Sequence, residues 1–266
     1  MIKPLSKSLL DFLKDECFYL AGAISYFSIM SLVPLSLLIV ALFGYLLGGN
    51  EEIYRFILAR LVNLFPSVTA GITAELRNII TYKGISLLTV FIYGFLSLQL
   101  FYSMEHAMNV IFKVPKKRHF FISILWSVLI VTLVTVFFLL SFTISSTASV
   151  LRQYPVDVLG FKIGYKAGIF IKYIAPFILI LMSYTAVYII VPKAKVSLKN
   201  AFSGALFTTV LWEVAKHFFT WYVKNVIQIG TIYGSLTTFI VFLLWVYYSS
   251  CIFLLGAELV NNLGKE

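Results

Sequence analysis

The chain is poor in charge. Asp, Glu, Lys and Arg make up 12% of its 266 residues, about half of the roughly 25% found in soluble domains. So few ionised groups do not furnish the surface of a free globular protein. Cysteine is scarcer still. Only Cys17 and Cys251 occur, in no CxxC or metal spacing, so neither a disulfide framework nor a thiolate metal site is implied. Histidine is limited to His106, His119 and His217, on three different segments. No HxH, HExxH or HxxxH pair forms, and a zinc hydrolase would lack its usual ligand spacing. GxSxG, Walker and GxGxxG patterns are absent as well. Nothing in the sequence points to a catalytic centre, a metal or a cofactor. The expectation is a protein that is not an enzyme and is not powered by ATP on this chain.

What is present is apolar. Hydrophobic residues reach 61%, against roughly 45–50% in ordinary domains. They fall in six runs, approximately 18–49, 85–112, 120–145, 169–191, 201–223 and 236–259. Each exceeds the ~18–20 residues of a helical membrane crossing. Backbone groups in lipid must be paired within the segment, so the runs are expected to be helices. They are too long and too uniformly apolar for the ~10-residue alternating strands of a membrane barrel. The expected fold is all-α: a polytopic membrane protein with six transmembrane helices in a single domain over 1–266.

The net charge of +10 would by itself suggest nucleic acid. The basic residues instead cluster at the ends of the apolar runs, as topology determinants and head-group contacts do. Nucleic acid is therefore not the expected partner; membrane lipids are. Loop 113–119 has four basic residues in seven positions, and loop 192–200 has three in nine. Loops 50–84 and 146–168 dilute seven over 58 and add Glu51, Glu52, Glu75 and Asp157. The positive-inside rule places both termini and the two basic loops in the cytoplasm. Lys3, Lys7 and Lys14 precede the first run as in a signal peptide, but the run far exceeds an h-region and reads as a retained span. Two stretches read as short amphipathic interfacial helices. In the first, Leu5, Leu9, Phe12 and Leu13 stand opposite Lys7, Asp11 and Lys14. In the second, Ile53, Phe56, Ile57, Leu61 and Leu64 stand opposite Glu52, Arg55 and Asn63.

Against this background the fifth run stands out. Glu213, Lys216 and His217 lie at i, i+3 and i+4 near its centre, so they share one helix face. A charge at bilayer depth costs at least ~2.5–3.5 kcal/mol and normally faces a protein interior or a wet cavity. Two readings follow: an ion, proton or head-group site, or an internal ion pair in which Lys216 neutralises Glu213. Pro34 sits near the middle of the first run, as a broken helix lining a midplane site or as an ordinary kink. Tyr26 and Gln99 join these as pathway candidates. Arg152 and Lys172 are candidates for anionic head groups at the outer face. Glu105, His106 and Glu258 lie near the cytoplasmic ends of their runs and are expected to be solvated or capping. Gly204/Thr208, with Ala201 and Ala205, marks a close-packing seam. GxxxG pairs are compatible with a homo-oligomer and equally with intramolecular packing.

Several stretches carry a family resemblance. LAGAISYFSIMSLVPLSLLIVALFG (20–44) resembles the opening span of the YihY/BrkB family, with its Ser-Leu-x-Pro motif. GALFTTVLWEVAKHFFTWYV (204–223) resembles its fifth span, with Trp212-Glu213 followed by Lys216. IYGSL (232–236), Trp245/Tyr247 and GAEL (256–259) resemble its C-terminal signature. Order and spacing agree over nearly the whole chain. The resemblance implies a six-helix protein of the bacterial plasma (inner) membrane. It also brings links to virulence and to cation/proton exchange or envelope-lipid transport. An old family label, ribonuclease BN, finds no His/Asp cluster here to support it. The functional expectation is a transporter or envelope-lipid-handling protein with a polar site on the fifth span, its substrate an anionic lipid or a cation. A cation/proton exchanger using Glu213 and a non-transporting assembly protein are the alternatives. The topology is tested by reporter fusions: green fluorescent protein at the C-terminus is expected to fluoresce, and alkaline phosphatase inserted in 146–168 to be active. The reverse pattern would invert the orientation.

Overall fold

Long apolar segments with few chain breakers satisfy their backbone by coiling. The computed structural model describes residues 2–46, 87–114, 174–225 and 236–265. Its helices are α1 (Ile2–Lys14), α2 (Cys17–Leu46), α3 (Leu87–Ile111), α4 (Ala175–Ile190), α5 (Leu198–Asn225) and α6 (Leu236–Leu263). No strand occurs among the described residues. Helices α2 to α6 coincide with the first, second, fourth, fifth and sixth apolar runs. The third run, 120–145, and the second amphipathic stretch lie outside the described residues. By length and apolarity, Ile240–Leu263 can cross a membrane, and only 28% of its apolar window is buried in the protein. That low share separates it from the core helix of a soluble domain. It is the one such helix among the described residues.

Local chemistry sets the helix ends. Glu16, at φ 53°, turns the chain from α1 into α2, and its N–H bonds Leu13 O at 3.3 Å. Lys113, at φ 54°, ends α3, where Val114 N–H reaches back to Asn109 O at 3.0 Å. This is a left-handed C-terminal cap. Pro176 occupies the first turn of α4, where a missing N–H costs nothing. Ser197 accepts the Asn200 N–H on its hydroxyl at 3.3 Å and opens α5 as an N-cap. Helix α2 is continuous through Pro34.

The chain divides into two compact units. The first holds Met1–Asp11, Met108–Trp212 and Leu255–Glu266. Its core is a close contact of α5 with α6. A Cβ on Gly204 would collide with the Val260 side chain, and a Cβ on Gly256 with Thr208 Oγ1 and Tyr188 Oη. Small residues permit this approach, as in membrane helix pairs. Ala201, Ala205 and Thr208 are fully buried beside it, so the predicted seam is the one used. Tyr188 and Thr208 share a 2.8 Å hydrogen bond. At the end of α6, Asn261 donates to Ile111 O at 2.7 Å. Asn262 donates to Ser8 Oγ at 3.2 Å and to Asp11 Oδ2 at 3.1 Å.

The second unit holds Phe12–Ala107 and Glu213–Leu254. Cys17, Ala21, Ile24 and Ser25 form the buried face of α2, at helical spacing. Ser25 Oγ meets Ser250 Oγ of α6 at 3.1 Å. Phe219 of α5 packs on Trp245 of α6 with ring centroids 4.9 Å apart. Cys17 and Cys251 are free thiols.

Helix α1 departs from the expected two-sided pattern. Phe12 is buried, whereas Leu9 and Leu13 are exposed together with Leu10. Ser8 is fully buried although polar, because it lies four residues before Phe12 and bonds Pro4 O at 2.7 Å. Asp11, assigned to the polar face, turns instead to Asn262. The helix thus has three sectors: protein-facing, leucine and lysine.

Helix α5 presents an exposed apolar ridge. Leu198, Phe202, Leu206, Val210, Val214 and Phe218 recur every four residues, and Trp221 extends the row. At 1.5 Å per residue the ridge runs ~35 Å, comparable to the ~30 Å hydrocarbon core of a bilayer. The close α5–α6 contact yields a direct test by thermal melting of purified protein. Gly256→Leu and Gly204→Leu are each expected to destabilise by about 1–3 kcal/mol or more through overpacking. Gly22→Ala meets nothing within 4 Å and is expected to stabilise α2 by about 0.5–1 kcal/mol.

Candidate functional site

Glu213 lies fifteen residues into α5, ~22 Å from its start. The helical repeat brings Lys216 and His217 alongside it. Lys216 Nζ donates to Glu213 Oε1 at 2.5 Å. His217 Nε2 stands 3.6 Å from the same oxygen, outside hydrogen-bond range. The helix therefore builds a charge-assisted pair with an imidazole one step away. Both members are only partly enclosed: the side chains are 35% exposed for Glu213 and 40% for Lys216. His217 is 76% exposed, next to the open apolar residues Val214 and Phe218. Thr220 hydrogen-bonds Lys216 O at 2.8 Å, satisfying its hydroxyl within the helix. Phe218 and Trp221 form a tilted ring pair at 5.7 Å.

This arrangement has a definite chemical character. The carboxylate is held against an ammonium, which fits local neutralisation. The outward imidazole supplies a polar group on the open edge of the helix. The constellation is suited to hydrogen-bonding a polar or ionic group that arrives from outside α5. It does not resemble a metal centre: no group of three or more His, Cys, Asp or Glu able to hold a metal gathers among the described residues.

The other sequence candidates are dispersed. Tyr26 is exposed and stacks edge-on with Phe27 at 5.3 Å. Gln99 is half-buried. Neither shares a hydrogen bond or ring contact with the triplet. Pro34 lies within α2. Arg152 and Lys172 lie outside the described residues.

Two carboxylates overturn the expectation of solvation. Glu105 is 5% exposed and Glu258 is fully buried. Helix register explains both. Glu105 stands four residues after buried Phe101, and Glu258 four after buried Leu254, so each lies on a packed face despite its nearness to a helix end. His106, one residue on, is exposed. Sequence reasoning also missed Asn261 and Asn262, which are 8% and 3% exposed. Their signal was available: Glu258, Asn261 and Asn262 recur at i, i+3 and i+4 beside the buried GAEL segment.

Comparison with known proteins adds the context. A family model described as Virulence factor BrkB matches residues 8–265. A UPF0761 membrane protein of Coxiella burnetii is 31% identical over 258 residues, covering 94% of this chain and 89% of its own. One from Legionella pneumophila is 30% identical over 252 residues, covering 93% and 58%. One from Alkalilimnicola ehrlichii is 31% identical over 263 residues, covering 96% and 56%. The chain thus spans little more than half the length of the Legionella and Alkalilimnicola relatives. No solved structure matches.

The worth of the ion pair is measurable by a double-mutant cycle in lipid nanodiscs. Glu213→Gln and Lys216→Met alone each strand one charge, and each is expected to lower the melting temperature more than the double variant does. Additive losses would show that the two side chains are not coupled.

Proposed function

This chain belongs to the Virulence factor BrkB family of membrane proteins, and on that premise we propose that it is a six-span transporter or envelope-lipid-handling protein of the bacterial inner membrane. Its polar site is Glu213, Lys216 and His217. One observation carries this reading: a paired acid and base, with an outward imidazole, stands midway along α5 on a helix whose exposed ridge is apolar. Intramembrane ionisable groups are functional by default. The partial exposure of the triplet gives an incoming polar group access to it.

Between the two transport readings, the short Lys216–Glu213 hydrogen bond favours the lipid path. An exchanger requires a carboxylate that changes protonation as it works, whereas a lipid path operates with a fixed pair. In this reading the head group exchanges hydrogen bonds with Lys216 and His217, and the acyl chains remain against the ridge from Leu206 to Trp221. The protein acts by positioning and not by covalent chemistry. The assembly-protein alternative has no corresponding use for an open imidazole.

Proteoliposomes discriminate the readings. A fluorescent phospholipid scrambled between leaflets, and a pH-sensitive dye for proton-coupled cation flux, are followed for wild type, Glu213→Gln and His217→Ala. The expected outcome is lipid movement that survives Glu213→Gln in part and falls in His217→Ala, with no cation-driven proton flux. Proton flux abolished by Glu213→Gln would establish the exchanger. Inactivity in both assays would return the assembly role.

A further inference from the structure

The triplet on α5 limits the kind of head group it can receive, and the limit is electrostatic. Between Asn200 and Val223 the only Asp, Glu, Lys or Arg side chains are Glu213 and Lys216, of opposite sign. The long helices of the same unit restore no net charge to an open site. Helix α2 has no such residue between Cys17 and Leu46, and α6 has none between Leu236 and Leu254. In α3 there is Glu105 alone, and it is buried.

A lone anion gains little at a cancelled pair. Coulomb energy falls only as the reciprocal of distance, so a phosphate drawn to Lys216 is repelled by the carboxylate bonded to that lysine. A lone cation meets the converse. A group that carries both charges meets each with its opposite. Its anion lies beside Lys216 and its cation beside Glu213, so the four charges alternate in sign and every nearest neighbour attracts.

The open atoms suit that arrangement. Lys216 and His217 both approach Oε1 of Glu213, at 2.5 and 3.6 Å. Oε2 accepts no hydrogen bond among the described residues, and a carboxylate oxygen there is an acceptor for an N–H donor. Val214, Phe218 and Trp221 are exposed alongside, an apolar path for acyl chains that a soluble zwitterion would not use.

We propose that the Glu213–Lys216–His217 site selects a zwitterionic phospholipid head group, a phosphodiester joined to a primary ammonium, over an anionic one. The proposal rests on the reading of this site as one that meets lipid, and it replaces the expectation of an anionic lipid. The ammonium donates to Glu213 Oε2, and the phosphodiester lies against Lys216 and His217.

The test uses the full chain in a neutral detergent, with bound ligand counted by native mass spectrometry. The probes are phosphatidylethanolamine, phosphatidylglycerol, N-acetyl-phosphatidylethanolamine, whose amide has lost the ammonium, and glycerophosphoethanolamine, which has no acyl chains. Phosphatidylethanolamine is expected to bind about tenfold more tightly than phosphatidylglycerol or the N-acetyl lipid, as one charge-assisted hydrogen bond allows. Glycerophosphoethanolamine is expected to bind more weakly than phosphatidylethanolamine. Glu213→Gln leaves the lysine charge alone and is expected to reverse the order in favour of phosphatidylglycerol. The double variant Glu213→Gln/Lys216→Met, with folding checked by its melting temperature, is expected to bind the two lipids equally. Equal binding of phosphatidylethanolamine and phosphatidylglycerol by the wild type would overturn the proposal, as would a folded double variant that keeps the wild-type preference. Equal binding of glycerophosphoethanolamine would overturn lipid as the ligand. Leaflet scrambling is read separately. Scrambling without head-group preference sinks this proposal and leaves the lipid-handling reading standing, whereas preference without scrambling does the reverse.

Discussion

Close approach of two helix backbones governs the first unit. Where Gly204 and Gly256 stand, no Cβ separates α5 from α6, and a methyl at either position would collide with Val260, Thr208 or Tyr188. In lipid there is no hydrophobic force between apolar helices, so packing at such contacts must hold them together. The Tyr188–Thr208 bond depends on that proximity. The asparagine contacts farther along α6 fasten α1 and α3 to the same helix. Each is a polar bond between buried groups, where leaving a partner unmade is costly.

The chain handles its polar side chains consistently. Ser25, Ser183, Thr185, Thr209 and Ser250 each donate to the carbonyl four residues before. A hydroxyl satisfied within its own helix needs no partner elsewhere, so these residues tolerate an apolar setting. Glu213 follows the same logic with charge, taking its counter-ion from the next turn. His217 departs from the pattern, since it is largely exposed.

The surface divides by chemistry in a way that suits a bilayer. Apolar side chains are exposed along α5 and on one sector of α1, whereas lysines are exposed at the helix ends. A soluble protein of this composition would expose its apolar ridge to water at considerable cost. The membrane-protein relatives and the exposed apolar ridge on α5 therefore agree in sense.

Periodicity and cost were legible in the sequence. The five apolar runs that fall among the described residues are helices, the structure by which a backbone in lipid pairs itself locally. The i, i+3, i+4 spacing of Glu213, Lys216 and His217 sufficed to bring them together, because that geometry is internal to one helix. The small residues at Ala201, Gly204, Ala205 and Thr208 marked a seam before any partner was known. Which helix would fill that seam was not legible, because a contact between α5 and α6 depends on both surfaces at once. The same limit explains Glu105 and Glu258. Their distance from a helix end suggested solvent, but burial is decided by the face a residue occupies and by what packs there. Sequence settled what each helix is able to bury; tertiary structure alone settled which faces it did bury, because packing is a property of pairs of surfaces and not of one chain segment.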